Sequence, residues 1–545
     1  MTKNGFIIIG MLLSLSTLWA GPPAPYGLMD TSKTPIIDSP PEAYAYASAF
    51  SPLRQEAIKV YGEAALTPGT IVPQTGSRRL LVILVEFNDI TGGVGYPNLT
   101  LPVGTTATQW QQWSFGGRPS IAHYFSEVSR GLLTLTAAQE TSGTANDGIV
   151  DWIHMTGDPT WSIHPTHPPN RFADVSAWSN SLAAAVINYT SANSLVDYSL
   201  FDDNNDGSIG YEELLLVMVI AGYDGSWTNA QSPSIWPHAL RVSAAAAPTV
   251  NGVKVCASYG AGDIRTGTYA MVGEWVVSSP NAGPANGHML EIGQACHEVG
   301  HQFFLPEGYD TTFQSKGAGR FCVMAYGSWN QQSNPADSPA HPSPWIKYRL
   351  GWTDLVTATT SGSYTLSSLG TNHQTLLVQS PSMDSEEFFL VENRQHEGYD
   401  DVLSGNAGLF VWHVDEGQND NGDRTHFLYD LEEASGTQDL EVWPGSYGDE
   451  NDYFRQNGIT DFTPATSPNS NAYIGSGTNV AMRADSASAA SMSVTVRYDG
   501  TLPGSSSGGG GGGGGGCSVA ANGVFSWQLP LMWFAPLFLV FFRRR

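Results

Sequence analysis

The 545-residue chain is long enough for roughly two to four domains. Its 50 acidic residues against 24 basic ones give a formal net charge of -26, which repels a polyanion and excludes nucleic acid as the expected partner. Only 14% of residues are charged and 60 are glycine, which excludes a coiled coil and reads as loop-rich β or α+β structure.

In chain order, residues 1–20 read as an export signal. Lys3 precedes the apolar run FIIIGMLLSLSTLWA, and Ala20 offers a small residue at the cleavage point. That run is about 15 residues, short for a membrane span. Residues 21–75 are Pro-rich and polar, with one helical patch at PLRQEAIKVYGEAAL, and read as an N-terminal arm or propeptide. A mixed domain is expected over 76–354. Within it RRLLVILVEFND (Arg78–Asp89) is an apolar run of strand length. PSIAHYFSEVSRGLLTL predicts a helix ending near Gly131 and then a strand. WSNSLAAAVINYT predicts a further helix and ELLLVMVIAG a further strand.

Beyond YRLGW the texture changes. GSYTLSSL, QTLLVQS, EEFFLVENRQ, AGLFVWHVDEG and SMSVTVRYDG are short β-type runs between turn residues, so 355–500 is expected to be a mostly β domain. A Ser/Gly linker over 501–516 ends the folded part. Residues 517–545 run from Cys517 through LPLMWFAPLFLVFF to three arginines. The apolar part is marginal for a permanent span and holds two prolines, which favours a transient, processed signal.

Two motifs carry chemistry. CHEVGHQFFLPEGYD (Cys296–Asp310) sets His297 and His301 four residues apart, on one face of a helix, where two imidazoles can reach one metal ion. Glu298 is rotated about 100° from His297, which suits it to a metal-activated water. Zinc lowers the pKa of such a water to about 7, and a carboxylate can carry its proton to a leaving amine. Cys296 points off the ligand face. The second motif, DDNNDGSIGYEE (Asp202–Glu213), fits the twelve-residue calcium-loop template. Asp202, Asn204 and Asp206 fall at positions 1, 3 and 5, Gly207 at the sharp turn, Ser208 offers its carbonyl, and Glu213 closes the loop. NDNGD (Asn419–Asp423) lacks the closing acid and reads as a polar turn. Three of the four cysteines lie in the body of the chain, where at most one pair forms; Cys296 with Cys322 is the first choice.

Resemblances extend these readings. Residues 501–545 resemble the tripartite sorting signals of bacterial surface proteins, which implies processing near Gly516–Cys517 by a sorting protease and an envelope or extracellular location. The continuation after His301 resembles metzincin proteases, in which a third ligand follows six residues on, at Glu307 here, with Asp310 the fallback. Met324 in RFCVMAYGSW resembles the Met-turn beneath such sites, and Tyr326 at its offset implies an oxyanion donor or a buried aromatic. HEVGHQFFLPEGYD, CVMAYGSW, EEFFLVENRQ and GLFVWHVDE together are similar to secreted metalloproteases of the immune inhibitor A type, over roughly residues 78–430. This implies a metzincin-like catalytic domain, zinc and bound calcium, and protein or peptide substrates. Two departures stand out: Phe304 replaces the family glycine of the turn, and Glu307 replaces its aspartate. Two rivals follow. One is a calcium-stabilised, non-catalytic surface or adhesion protein in which Phe304 has abolished zinc binding. The other is a zinc hydrolase acting on cell-wall or glycoprotein substrates.

Overall fold

The computed structural model describes residues 73–87, 105–155, 175–226, 234–259, 265–277 and 287–503, apart from positions 371, 404, 406, 443, 444 and 476, together with the backbone of the short strand Trp19–Ala20. The expected propeptide helix, Asn88 and Asp89, the Ser/Gly linker and the sorting tail therefore lie outside the described residues. Among the described residues no helix is long and apolar enough to cross a membrane.

Residues 76–302 form a mixed α/β layer structure. Strand β1 (Gly76–Glu86) is the centre, with β2 (Leu133–Ala137), β3 (Ile149–His154) and β4 (Leu214–Asp224) all parallel to it. On the other side of β4 lies β6 (Tyr269–Val277), also parallel, and on β6 pair two antiparallel strands, β5 (His238–Leu240) and β7 (Gly287–Met289). The apolar runs of β1 and β4 have no polar face because both faces are covered. Leu80, Val82 and Leu84 enter one core, with Leu215, Val217 and Val219; Leu81, Ile83 and Val85 enter a second, with Leu216, Met218 and Ile220. Helix α3 (Val175–Ala192) covers the second face through Leu182, Val186 and Ile187.

The first face is covered by α1 (Ala107–Phe115), α2 (Ile121–Val128) and α4 (Ile292–Gln302). The sequence reading passed over α1, although Thr106 and Gln109 form a complete capping box at its start. The second helix stops at Val128, because Arg130 and Gly131 turn left-handed with φ of 63° and 73°. Gln302 docks the end of α4 onto β4, donating to the Leu216 carbonyl (3.1 Å) and accepting its amide (3.2 Å).

The later strands build two sheets. The larger has the order β8 (Asp354–Thr357), β10 (Gln374–Val378), β11 (Glu387–Arg394), β12 (Gly408–Asp415), β13 (Tyr429–Leu431). The smaller holds β9 (Gly362–Ser367), β16 (Ser491–Arg497), β15 (Ala481–Ala484) and β14 (Asp461–Phe462). Alternation along β11 explains how they pack: Phe389 and Val391 meet the smaller sheet, while Phe388 and Leu390 join the core of α4. The described residues up to Leu502 thus form one compact unit.

Arg394, at the end of β11, ties this sheet to the segment before Met324. It is fully buried, and its guanidinium donates to both Asp400 oxygens (3.0 and 2.9 Å), to Glu392 (3.3 Å) and to the carbonyls of Phe321 (2.8 Å) and His341 (3.3 Å). Burial opposes the charge, but Asp400 and Glu392 hold it above the usual arginine range. Lys347 pairs with the other oxygen of Glu392 at 2.9 Å. Lysine cannot reproduce this planar fork. Arg394→Lys is therefore expected to lower the unfolding free energy by about 3 kcal/mol, the cost of breaking a buried charge network, read from urea midpoints at unchanged slope.

Candidate functional site

Helix α4 ends in a Schellman turn. The amide of Phe304 donates to the His301 carbonyl (2.9 Å) and that of Leu305 to the Gly300 carbonyl (3.3 Å). The turn needs a left-handed residue, and Phe304 supplies it with φ of 62°. Glycine is the ordinary solution, since a side chain there costs about 1 kcal/mol. Phe304 offsets that cost by its ring, which is 5% exposed, meets Tyr211 edge-on at 4.7 Å and lies under the Arg241 guanidinium at 4.5 Å.

The turn places Glu307 beneath the histidines. His297 Nε2 is 3.2 Å from Glu307 Oε2, His301 Nε2 is 3.2 Å from Glu307 Oε1, and the two Nε2 atoms are 3.1 Å apart. All three side chains are buried. Each imidazole has its other nitrogen fixed by a carbonyl: Nδ1 of His297 donates to Val323 O (2.8 Å) and Nδ1 of His301 to Leu305 O (2.7 Å). A carbonyl only accepts, so both protons sit on Nδ1 and both Nε2 lone pairs face Glu307. Burial pushes the His301 imidazole below its ordinary pKa, partly countered by Glu307. Burial would raise the Glu307 carboxyl, but the two imidazoles hold it below the usual range. Two imidazoles and a carboxylate thus converge, and with both imidazoles neutral all three would offer lone pairs, the state in which such a group holds a cation. Among the described residues this is the one group of three such side chains whose donor atoms all lie within 4.8 Å. The nitrogen and oxygen donors suit zinc in a three-ligand catalytic arrangement.

The alternative ligand, Asp310, is committed elsewhere. Its oxygens accept from the Thr312 amide and hydroxyl (2.7 and 2.6 Å), the Gln314 amide (3.1 Å) and the Ser315 hydroxyl (2.9 Å). Met324 lies against the helix at Gly300, where a Cβ would come within 2.6 Å of its sulfur. Its carbonyl receives the Gly308 amide at 2.7 Å, so one short segment braces the helix through Val323 and the Glu307 loop through Met324. Glu298 is fully buried on α4. Tyr326 is also buried; its ring is 6.0 Å from that of Tyr309, which in turn is 6.4 Å from His297.

Residues that sequence reasoning missed complete the support. Asn421, within the NDNGD turn, donates to Gly308 O (3.1 Å) and is fully buried, so that turn is a brace for the Glu307 loop. Tyr429 closes over Gly308, leaving no room for a side chain there. The motif GLFVWHVDE and the acid-rich turn after it were the available signals, without a partner attached. The expected Cys296–Cys322 pair is corrected: Cys256, Cys296 and Cys322 are all buried free thiols, and burial raises each of their pKa values.

The Asp202–Glu213 loop closes on its own amides. Asp202 accepts from the amides of Asp206 (3.0 Å) and Gly207 (3.1 Å), Asn204 from Asp206 (2.9 Å), and Asp206 from Ser208 (2.9 Å). Glu213 accepts from Asn204 (3.2 Å) and Gly210 (2.7 Å), with its carboxyl raised by burial. Asn205 and Gly207 take left-handed turns, and the loop leads straight into β4.

A buried helix with two histidines, a returning glutamate and a methionine-bearing turn beneath defines a metallopeptidase type of site. The family model of the immune inhibitor A peptidase M6 catalytic domain matches residues 182–353, a span that holds the Asp202 loop, α4, Glu307, Met324 and Tyr326. That match supports a metalloprotease similar to the immune inhibitor A type. No curated protein matches the chain.

Phe304→Gly restores the family residue and so tests the balance at the turn. Truncating a buried phenylalanine costs about 3–5 kcal/mol, against about 1 kcal/mol of backbone relief. The variant is expected to be less stable by about 2 kcal/mol or more in urea unfolding; a stabilised variant would show that the ring contributes nothing.

Proposed function

We propose that this chain is an exported zinc endopeptidase that hydrolyses peptide bonds of extracellular proteins. The observation that carries the reading is the buried convergence of His297 Nε2, His301 Nε2 and both Glu307 oxygens, with each imidazole locked by a carbonyl. Zinc held by these three residues would lower the pKa of a bound water to about 7 and polarise the scissile carbonyl. Glu298, next to His297 on the same helix, takes the proton of the attacking water and hands it to the leaving amine. Its burial keeps it dry and gives a carboxylate strong leverage on a nearby proton. The Tyr326 hydroxyl donates to the developing oxyanion. Val323 and Leu305 keep the histidines oriented, each with Nε2 turned toward Glu307.

The Asp202 loop takes calcium in this reading. Its amide-to-carboxylate bonds hold the acids in register, and an ion there would stiffen the entry to β4, the strand on which α4 rests. The N-terminal apolar run and the tail after Cys517 support export with attachment to, or release from, the envelope, the tail being transiently in the membrane and read by a sorting protease. The non-catalytic rival assumed that Phe304 breaks the turn; the left-handed Phe304 and the placement of Glu307 speak against it.

Casein hydrolysis by the purified chain, beside Glu298→Ala at matched zinc content, tests this. The variant is expected to keep zinc and cut about 10²–10⁴-fold more slowly. An equal rate would remove Glu298 from the chemistry. An inert wild type with one zinc per chain would refute a general endopeptidase and favour the surface-protein reading.

A further inference from the structure

A cavity of about 500 Å³ is lined by Glu127, His341, Gly370, His373, Glu397 and Gly398. Its volume falls within the range of small-molecule sites, roughly 300–1,000 Å³. None of these residues belongs to the histidine site or to the Asp202 loop. Glu127 stands in the last turn of α2, His373 just before β10, and Glu397 just after β11. Two glycines make room for the carboxyls: a Cβ on Gly398 would collide with that of Glu127, and one on Gly370 with Glu397 Oε2.

The polar atoms here are held in place but not all paired. Glu127 Oε1 accepts from the Tyr399 amide (2.8 Å) and faces His341 Nε2 (3.1 Å). The His341 backbone is fixed at both ends, its amide donating to Asp400 (3.0 Å) and its carbonyl accepting from Arg394 (3.3 Å). A carboxylate only accepts, so the His341 proton sits on Nε2, and in the neutral ring Nδ1 is an acceptor. The His373 ring lies edge-on to it at 5.4 Å. Burial, helped by His341 and the charges of Lys347 and Arg130, holds His373 well below the usual imidazole range. His341 is 2% and His373 5% exposed, yet Nδ1 of each is buried with no hydrogen-bond partner. Such atoms are costly to leave unpaired. Glu397 meets only the Ser368 hydroxyl (2.8 and 3.1 Å), with no cation paired to it among the described residues. Arg118 and Arg130, the arginines whose charges reach Glu127 and His373, are paired with Asp401 and Asp354.

We propose that this cavity binds a small organic cation rich in N–H donors, a guanidinium or a primary ammonium group, between the carboxylates of Glu127 and Glu397 and the ring nitrogens of His341 and His373. The lining supplies negative charge and acceptors, and neither lysine nor arginine is part of it. A single metal ion fits poorly, because no three ligand atoms of these residues lie within 4.8 Å of one another. Acceptors spread around a cavity of this size suit a cation that carries its donors on several atoms. Charged N–H groups form the stronger class of hydrogen bond with carboxylates, and guanidinium can meet one with two parallel bonds. Occupancy would bridge α2 and the turns that flank β10 and β11, reinforcing the bond that the Tyr399 amide already makes to Glu127.

The test reads binding and not hydrolysis, so it stands or falls apart from the peptidase reading. The full chain is titrated by calorimetry at neutral pH and about 0.15 M salt, which screens diffuse attraction to an acidic surface. The probes are agmatine, with a guanidinium at one end and an ammonium at the other, N-acetyl-argininamide, and tetramethylammonium, a cation without N–H donors. One agmatine per chain is expected to bind saturably, and tetramethylammonium is not. Uptake of N-acetyl-argininamide as well would identify a basic peptide side chain as the ligand, and uptake of agmatine alone a free amine. Glu397→Gln keeps the shape and removes the charge, and is expected to weaken agmatine at least about tenfold, as loss of a charged hydrogen bond does. Glu397 is only partly buried, so this variant folds, which an unchanged urea midpoint verifies; Glu127→Gln is expected to weaken binding likewise. No saturable uptake of agmatine, equal uptake of tetramethylammonium, or undiminished uptake by Glu397→Gln would overturn the proposal.

Discussion

The site depends on one backbone conformation, the left-handed turn at Phe304. A helix can bring His297 and His301 onto one face by its own geometry, but it cannot supply a third ligand on that face. The chain must reverse within a few residues. The Schellman bonds at Phe304 and Leu305 make that reversal, and the same turn delivers the Leu305 carbonyl to His301 Nδ1. Position, tautomer and the return of Glu307 to the histidines thus follow from a single residue with φ of 62°. A phenylalanine is a costly choice there, and the edge contact with Tyr211 and the cation of Arg241 repay it.

Around this turn the fold works in layers of restraint. Strand β4 carries α4 through Gln302, and the Met324 segment lies beneath both the helix and the Glu307 loop. The larger late sheet then reaches the site from the other side. Arg394 grips Phe321 and His341, Asn421 holds Gly308, and Tyr429 closes over it. A catalytic site needs ligands that stay in place as charge moves, and rigidity of this kind is supplied by residues that never touch a substrate. The β-rich half is accordingly part of the site's construction, sharing one core with α4.

Much of this could be read from sequence because it is local. The spacing of His297 and His301, the offset of Glu307 and the apolar runs of β1, β4 and β11 each follow from the periodicity of one element. Phe304 was visible as a departure, but its consequence was not. How the ring is housed was not legible because Tyr211 and Arg241 lie far away in sequence, and only the tertiary fold brings them to it. The same limit hid Arg394 and Asn421, whose motifs were legible while their partners were not. It also produced the cysteine error: Cys296 and Cys322 lie near one site, but both are packed as buried thiols in the core.

The central claim is that the turn makes Glu307 the third ligand. Zinc K-edge X-ray absorption on the full chain loaded with one equivalent of zinc tests it most directly, beside Glu307→Ala. The account predicts scattering from two imidazoles with light-atom donors at about 2.0–2.2 Å in the wild type. The variant should keep both imidazoles, lose a carboxylate oxygen and bind zinc more weakly. A variant with an unchanged spectrum and unchanged affinity would contradict the account and return the third position to another residue.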